Sequence, residues 1–266
     1  ISHSFICNFQ VVKNCGEQPL PPYDSCNLGS INVSLMTKPT AKGALEIDWE
    51  KLREVTHIAT HFLDNVIDMN KYPLPQIEQV TKSHRRIGLG IMGFADLLTN
   101  LNIPYNSEEA IKTGDHLMGF VHEESKKQSA ELAKRRGTFP AFKGSKWDTG
   151  RKEDCVRNAT LTTIAPTGTI SMIADCSSGI EPLFSICYIK RVMDGQELLY
   201  VDRQFEAAAK KNTFHSEDLM KRIAVTGSIQ HMNEIPAHIK RIFVTSHDIT
   251  PDWHVKMQAV FQKHVE

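Results

Sequence analysis

The stretch NCGEQPLPPYDSCNLGSIN, residues 14–32, decides the fold that this sequence predicts. It holds two cysteines eleven positions apart, Cys15 and Cys26, and a carboxylate, Glu17, two residues after the first of them. Three prolines lie between the cysteines and disfavour regular helix there. Cys15 and Glu17 are therefore expected on an irregular loop, where functional residues are often found.

This residue set favours sulfur chemistry. A thiol with a carboxylate close by pairs a sulfur reactant with a proton acceptor. A second thiol can act as a reductant, because two cysteines deliver two electrons when they close a disulfide. The alternatives are a metal pair or two buried thiols. A zinc site usually shows closely spaced cysteine pairs with further ligands at similar spacing, and this spacing, without a second cluster, speaks against zinc.

A second candidate segment lies further along the chain. Residues 159–165 (ATLTTIA) are rich in β-branched side chains and predict a buried strand. The strand leads into PTGTIS, residues 166–171, and a helix start. A strand, a small hydroxyl-rich loop and a helix N-terminus together make an anion site, because backbone N–H groups converge there. The G-x-x-x-x-G-K-[ST] phosphate loop is absent.

Long helical patterns separate the strand candidates, and this alternation argues for an α/β fold. Asp48 is expected to cap a helix to about Met69, and Ser107 a helix to about Arg136. Further elements are predicted as strands at 185–193 and 243–245, helices at 199–211 and 216–226, and a helix from Thr250 still running at Glu266.

The segment HRRIGLGIMGFADLL, residues 84–98, contains a formal G-x-G-x-x-G. A dinucleotide site needs a preceding strand, but residues 76–86 are polar and helix-like. We predict instead a helix whose glycines let another backbone approach closely.

Composition sets the remaining limits. The chain has 266 residues, 41% of them hydrophobic, and a formal charge of zero. This balance gives no global attraction to nucleic acid or an anionic membrane, and we expect neither as a partner. Six irregularly spaced cysteines suit a reducing cytoplasm better than a disulfide framework. Both ends of the sequence look like cuts, so we expect a fragment.

The segments CGEQPL (15–20) and SCNLGSIN (25–32) resemble the active-site segment of ribonucleotide reductase large chains, most closely the adenosylcobalamin-dependent class II branch. The resemblance implies that Cys15 becomes a thiyl radical that takes the ribose 3′-hydrogen. It implies that Glu17 handles the 3′-hydroxyl proton, and that Cys26 is half of the dithiol that reduces the 2′-carbon. The other half lies upstream in the family, and nothing in this chain matches it.

The same resemblance implies a substrate site in two parts. In the family, a Pro-Thr-Gly-(Ser/Thr)-Ile-Ser loop binds the substrate phosphates. The implied contacts are Asn14, Cys15, Gly16 and Glu17 on the first segment and Pro166, Thr167, Gly168, Thr169 and Ile170 on the second. No metal ligands are expected, and Cys155, Cys176 and Cys187 are interpreted as structural thiols.

The family fold is a ten-stranded α/β barrel made of two five-stranded parallel halves, with the thiyl cysteine on a central loop. Residues 15–266 would supply that loop and much of the second half. Alone they cannot close the barrel, so the isolated chain is expected to be poorly soluble and inactive.

The resemblance also implies a reaction and its partners. Ribonucleoside diphosphates (or triphosphates) would be reduced to 2′-deoxy forms, with adenosylcobalamin as cofactor and thioredoxin or a similar dithiol as reductant. An allosteric nucleotide would bind outside this chain, and the full-length protein would be a homodimer. Two alternatives stay open: an iron-dependent class I large chain, and a non-catalytic phosphate-binding barrel.

Residues 1–14 depart from the family pattern. The family has an asparagine two residues before the thiyl cysteine, where this chain has Lys13. HSFICN and VVKN, ending at Asn14, resemble the C-terminal tail of an intein. Asn14 would then cyclise and release Cys15 as the first residue of the mature enzyme, although inteins more often have histidine at position 13. The alternatives are a divergent or misjoined N-terminus, and a chain whose only activity is splicing.

Overall fold

The computed structural model describes residues 4–7, 10–13, 17–18, 20–191 and 197–265. Its strands are β1 (Ser4–Cys7), β2 (Gln10–Lys13), β3 (Asn27–Asn32), β4 (Thr37–Pro39), β5 (Leu45–Ile47), β6 (Ile87–Met92), β7 (Cys187–Arg191) and β8 (Glu197–Val201). Its α-helices are α1 (Trp49–Met69), α2 (Pro75–His84), α3 (Phe94–Asn100), α4 (Glu108–Arg136), α5 (Gly168–Ala174), α6 (Arg203–Lys211), α7 (Glu217–Thr226), α8 (Ala237–Ile242) and α9 (Pro251–Gln262). Short 3-10 helices lie at Val33–Leu35, Pro140–Phe142 and Lys152–Asp154.

The centre of the fold is a layer of parallel strands. Strand β3 pairs with β6 in parallel, from Asn27 opposite Ile87 to Asn32 opposite Met92. Segment 160–163 lies on the other side of β6, where Thr162 is the parallel partner of Leu89 and the N–H of Leu89 donates 2.8 Å to the carbonyl of Leu161. The predicted α/β class is confirmed, and the described strands do not close into a barrel.

Helices cover one face of this layer. Gly29 of β3 faces Leu63 of α1, and α1 packs in turn against α4. The odd-numbered side chains of β6 on that face are fully buried, whereas Gly88 and Gly90 lie on the opposite face. The opposite face of the layer, which we call the inner face, carries the candidate site.

The two long helices begin and end as predicted. The Asp48 side chain accepts from the N–H of Lys51 at the start of α1, and Ser107 Oγ accepts from the N–H of Ala110 at the start of α4. Gly137 follows α4 with a φ of +83°, a conformation that glycine adopts without strain. Capping chemistry therefore located both helices from the sequence.

The prediction of a helix through residues 84–98 is wrong. Helix α2 ends at His84, the glycine-rich run forms β6, and α3 begins only after Gly93. A Cβ atom on Gly88 would lie 2.7 Å from Cδ2 of Leu28, and one on Gly90 would lie 3.0 Å from the carbonyl oxygen of Thr163. The glycines do permit close approach, but within a strand, and they precede the turn that a dinucleotide fingerprint would occupy.

Four smaller predictions need adjustment. The helix predicted at 199–211 is β8 up to Val201 followed by α6, and α9 ends at Gln262 instead of continuing. The strand predicted at 159–165 is reduced to one parallel bridge between Thr162 and Leu89, and the strand predicted at 243–245 to one between Thr245 and Leu183. The turn predicted at residues 194–195 lies outside the described residues. Every helix in the described ranges is too short or too polar to cross a bilayer.

Candidate functional site

The predicted site residues fall into two groups. Asn14, Cys15 and Gly16 lie outside the described residues. Glu17, Cys26 and all of residues 166–170 are described, so the geometry that the structure gives concerns these.

Glu17 is bound to the strand layer through its backbone. The hydroxyl Oγ1 of Thr163 donates a hydrogen bond of 2.5 Å to the carbonyl oxygen of Glu17. Next to it, Nε2 of Gln18 donates 3.2 Å to the carbonyl oxygen of Thr162. Gln18 and Thr163 are both almost fully buried. Residues 17 and 18 therefore lie directly on segment 160–163.

The predicted phosphate loop continues from the same segment. Pro166 lies three positions after Thr163, a span of about 11 Å at most. Thr167 has a φ of +55°, and its Oγ1 accepts 2.7 Å from the N–H of Gly179. Helix α5 begins at Gly168, where a Cβ atom would meet open space. The first N–H groups of a helix have no acceptor within the helix, so this turn can bind an anion.

Residues 176–179 form a wall behind the phosphate loop. The N–H of Gly93 donates 2.7 Å to the carbonyl of Ser177, and the N–H of Ser177 donates 2.6 Å to Oδ2 of Asp96. Burial raises the pKa of Asp96, and hydrogen bonds from Ser177 oppose this shift. The wall joins the loop to the turn between β6 and α3.

Burial disfavours the thiolate form of two cysteines, Cys176 within this wall and Cys187 at the start of β7. Burial raises the pKa of Cys176 to about 11, and the nearby Asp96 carboxylate adds to the shift. Burial raises the pKa of Cys187 to about 12. A thiol that stays protonated is a poor nucleophile, which agrees with a structural role for both.

Cys26 lies at the other end of the strand layer. It is half-buried and immediately precedes β3, so it lies level with the starts of the strands, whereas residues 166–170 follow their ends. Its position is fixed by Asp24, whose Oδ2 lies 2.8 Å from both Nδ1 of His84 and Nε of Arg86. Glu17, held at Thr163, lies between Cys26 and the phosphate loop.

Ser30 lies on the inner face beside the candidate site and was not among the residues predicted from the sequence. Side chains alternate between faces along a strand, so Ser30 shares the inner face with Leu28 and follows Cys26 at a spacing of four. Its register partner is Gly90. Ser30 Oγ is buried and has no hydrogen-bond partner among the described residues. The alternation of SCNLGSIN was the signal that could have identified it.

One cavity among the described residues has a volume of about 430 Å³ and lies between α9 and residues 180–181, and none of the predicted site residues lines it. This volume is at the lower end of the range for pockets that bind small molecules, about 300–1,000 Å³, and a corrin with its nucleotide tail is far larger than such ligands. Within the described ranges, no three His, Cys, Asp or Glu side chains are grouped as a metal site.

Comparison with known proteins gives a consistent result. The family described as "Ribonucleotide reductase, barrel domain" matches residues 13–266. The vitamin B12-dependent ribonucleoside-diphosphate reductase of Thermoplasma acidophilum is 52% identical over 253 residues, covering 95% of this chain and 32% of that protein. The enzyme of the same name from Mycobacterium tuberculosis is 43% identical over 257 residues, covering 97% of this chain and 36% of that protein.

A solved structure shows the same fold. The class Id ribonucleotide reductase alpha subunit of Actinobacillus ureae superposes with a TM-score of 0.73 at 25% identity, covering 90% of this chain and 42% of that one. The chain thus spans about a third of the length of the curated relatives that it matches.

Proposed function

Because the chain belongs to the ribonucleotide reductase barrel family, we propose that it forms part of an enzyme that reduces ribonucleoside diphosphates to 2′-deoxyribonucleotides for DNA synthesis. One observation carries this proposal: the hydrogen bond from Thr163 to Glu17. It joins the segment of the predicted radical cysteine to the strand that leads into the predicted phosphate loop.

In the proposed reaction, Cys15 carries the thiyl radical and takes the 3′-hydrogen atom of the ribose. Glu17 accepts the 3′-hydroxyl proton while the 2′-hydroxyl leaves as water. Cys26 and a second cysteine outside this chain supply two electrons and two protons and close a disulfide. Cys15 then returns a hydrogen atom to the 3′-carbon and Glu17 returns its proton to the 3′-oxygen, so one dithiol is oxidised for each nucleotide reduced.

Residues 166–170 would bind the diphosphate, and Asn14, Gly16 and Glu17 would contact the sugar side of the nucleotide. The open first turn of α5 supports this assignment, since backbone N–H groups and hydroxyls of Thr167 and Thr169 can donate to phosphate oxygens. The order of phosphate loop, Glu17 and Cys26 along the strands matches the order of phosphate, 3′-carbon and 2′-carbon that the chemistry requires.

We also propose adenosylcobalamin as the cofactor, because the relatives with 43–52% identity are named vitamin B12-dependent. When bound, it would supply the radical that oxidises a cysteine. The cavity between α9 and residues 180–181 is too small for it, and no described residue is assigned to its binding. Activity that requires added adenosylcobalamin supports this assignment, whereas activity that requires a diiron partner chain would place the enzyme in class I.

The remaining partners follow from the same chemistry. Thioredoxin or a similar dithiol would reopen the Cys26 disulfide by exchange. We propose a homodimer with an allosteric nucleotide site outside this chain, located in the reducing cytoplasm. A dimeric mass in solution and nucleotide binding that survives loss of residues 166–170 would support these assignments.

We propose that residues 15–266 are the barrel portion and residues 1–14 the tail of an intein. Strands β1 and β2 within this tail pair with each other as an antiparallel hairpin. Adding the missing intein part should release a product that begins at Cys15. An upstream reading frame without any intein body would contradict the assignment.

The proposed function is tested in a polypeptide of full reductase length. Cys15→Ser should abolish deoxynucleotide formation, because serine cannot carry the radical under these conditions. Cys155→Ser is the control, since Cys155 is a half-buried thiol that directly follows the 3-10 helix Lys152–Asp154 and is not one of the predicted site residues. Deoxynucleotide formation by the Cys15→Ser variant would reject the proposal and favour a phosphate-binding barrel without catalysis.

A further inference from the structure

We propose that Thr163 is a positioning residue, whose hydroxyl fixes the Glu17 segment against the strand that ends in the phosphate loop. This inference rests on the proposed function. In this proposal, the Thr163 side chain holds the segment that performs the chemistry, around Glu17, at a fixed distance from the loop that binds the phosphates.

The contact is short, and its donor is shielded from water. Thr163 is 1% exposed, and its Oγ1 lies 2.5 Å from the carbonyl oxygen of the half-buried Glu17. The residues are 146 positions apart in the sequence, so this bond joins two distant segments of the chain. A hydrogen bond is strengthened where its surroundings exclude water, and loss of the hydroxyl removes this donor from the carbonyl.

The direction of the hydroxyl is set by the packing around it. Cγ2 of Thr163 lies over Gly88, 3.0 Å from the point where a Cβ atom would be. The N–H of Thr163 donates 3.2 Å to the carbonyl of Leu89, which fixes the backbone on β6. With the methyl group over a glycine and the backbone paired, the hydroxyl is directed to Glu17.

The same strand positions the phosphate loop. Four residues after Thr163, the hydroxyl of Thr167 accepts from the N–H of Gly179, and α5 begins at the next residue. The positions of Glu17 and of residues 166–170 are therefore set by two hydroxyls on one continuous stretch of backbone.

A positioning role predicts a specific kinetic defect. Without the hydroxyl, the phosphates still bind to residues 166–170, but Glu17 loses its fixed distance from the ribose. A displacement of about 1 Å can reduce a rate about 100-fold. The loss is therefore expected in kcat, with KM for the nucleotide nearly unchanged.

The test compares three variants in a polypeptide of full reductase length. Thr163→Val keeps the shape and removes the hydroxyl, and Thr163→Ser restores the hydroxyl. Thr160→Val is the matched control, because Thr160 lies on the same segment, is 5% exposed, and donates 3.1 Å to the carbonyl of Ile87 on the opposite face. We expect the melting temperature to change by a similar amount in both valine variants.

We expect Thr163→Val to lower kcat by about 10- to 100-fold with KM changed by less than about twofold. Thr163→Ser should recover most of kcat, and Thr160→Val should stay within about twofold of the parent in both constants. A kcat for Thr163→Val equal to that of Thr160→Val would overturn the proposal, as would a defect confined to KM.

A second measurement does not depend on turnover. In the cofactor-free protein, saturating nucleoside diphosphate should protect Cys15 from alkylation by iodoacetamide, as read by peptide mass spectrometry. Thr163→Val should bind the nucleotide normally but protect Cys15 several-fold less well, whereas Thr160→Val should protect it fully. Equal protection in both variants contradicts the inference, and it does so even if Cys15→Ser has confirmed the proposed function.

Discussion

Oδ2 of Asp24 accepts a hydrogen bond of 2.8 Å from Nε of Arg86, and the Asp24 side chain is completely buried. The same oxygen lies 2.8 Å from Nδ1 of His84. One carboxylate therefore contacts the two residues that flank Arg85, just before β6 begins. Because Asp24 is two residues before Cys26, this ion pair fixes the start of β3 against the start of β6.

Asp24→Asn should destabilise the protein by about 3 kcal/mol, because it leaves the partly buried Arg86 guanidinium without its counter-charge. The measurement is chemical denaturation of the full-length protein. Asp148→Asn is the control, since the exposed Asp148 carboxylate accepts from the backbone N–H of Gly144, and its change should cost less than about 1 kcal/mol. Equal losses of unfolding free energy in the two variants would show that the buried ion pair adds no more stability than the exposed hydrogen bond of Asp148.

Gly179→Ala should weaken nucleotide binding. Gly179 has a φ of +49°, and a Cβ atom there would lie 2.8 Å from the carbonyl oxygen of Ala165, immediately before the phosphate loop. The backbone must shift to relieve this contact, so we expect KM for the nucleotide to rise about tenfold, which corresponds to about 1.4 kcal/mol. Gly144→Ala has the same backbone strain at φ +78° but meets open space, and its KM should be unchanged. Equal KM values would contradict the assignment of residues 166–170.

Ser30→Ala and Ser34→Ala should differ in their effect on the stability of the protein. Ser30 Oγ is buried without a partner among the described residues, whereas Ser34 Oγ donates 2.6 Å to Oδ1 of Asn32. Removing an unsatisfied buried hydroxyl should leave the free energy of unfolding equal or higher, and removing the bonded one should lower it by about 1 kcal/mol. If Ser30 contacts the ribose, its alanine variant should also bind nucleotide several-fold more weakly, which calorimetry can measure.

Asp202 should make the region around α6 less stable as the pH rises from about 4 to 6. Burial raises the pKa of Asp202 to about 6, and the Asp96 and Asp175 carboxylates add to the shift. A group whose folded-state pKa is raised contributes stability below its unfolded pKa of about 3.9, and this contribution is lost as the pH passes the folded value. Amide hydrogen exchange of α6, corrected for intrinsic rates, is the measurement.

Asp202→Asn is the decisive variant for this effect. The Asp202 side chain accepts from the N–H of Phe205 at the start of α6, and asparagine is an equally good cap. The variant should therefore lose the pH dependence and be more stable than the parent above pH 6. Asp202→Ala should lose both the pH dependence and the cap. A parent protein whose α6 protection does not change across this range would refute the expectation.

The sequence was sufficient where local chemistry determines structure. Asp48 and Ser107 located α1 and α4 because their side chains cap helix N-termini, an interaction within four residues. Residue types alone also predicted that the β-branched run 159–165 would be buried in the strand layer, where Thr162 bridges to Leu89, whereas the anion site after it stays a prediction. These features need no knowledge of distant parts of the chain.

The sequence was insufficient where a distant segment decides. Gly88 and Gly90 have low intrinsic strand preference, and β6 exists because β3 and segment 160–163 pair with it on both sides. The importance of Thr163 and Ser30 likewise depends on residues more than fifty positions away in the sequence. A strand rich in hydroxyls gives no local sign of which hydroxyl meets another segment.

The continuous backbone from Thr163 to Thr167 has a consequence for evolutionary change. Loops usually tolerate the insertion or deletion of a residue, but each residue here adds about 3.3 Å of extended chain between two anchored hydroxyls. The number of residues between those two threonines therefore sets the distance between their anchored hydroxyl groups. Families that keep this chemistry should vary side chains here more freely than they vary the number of residues.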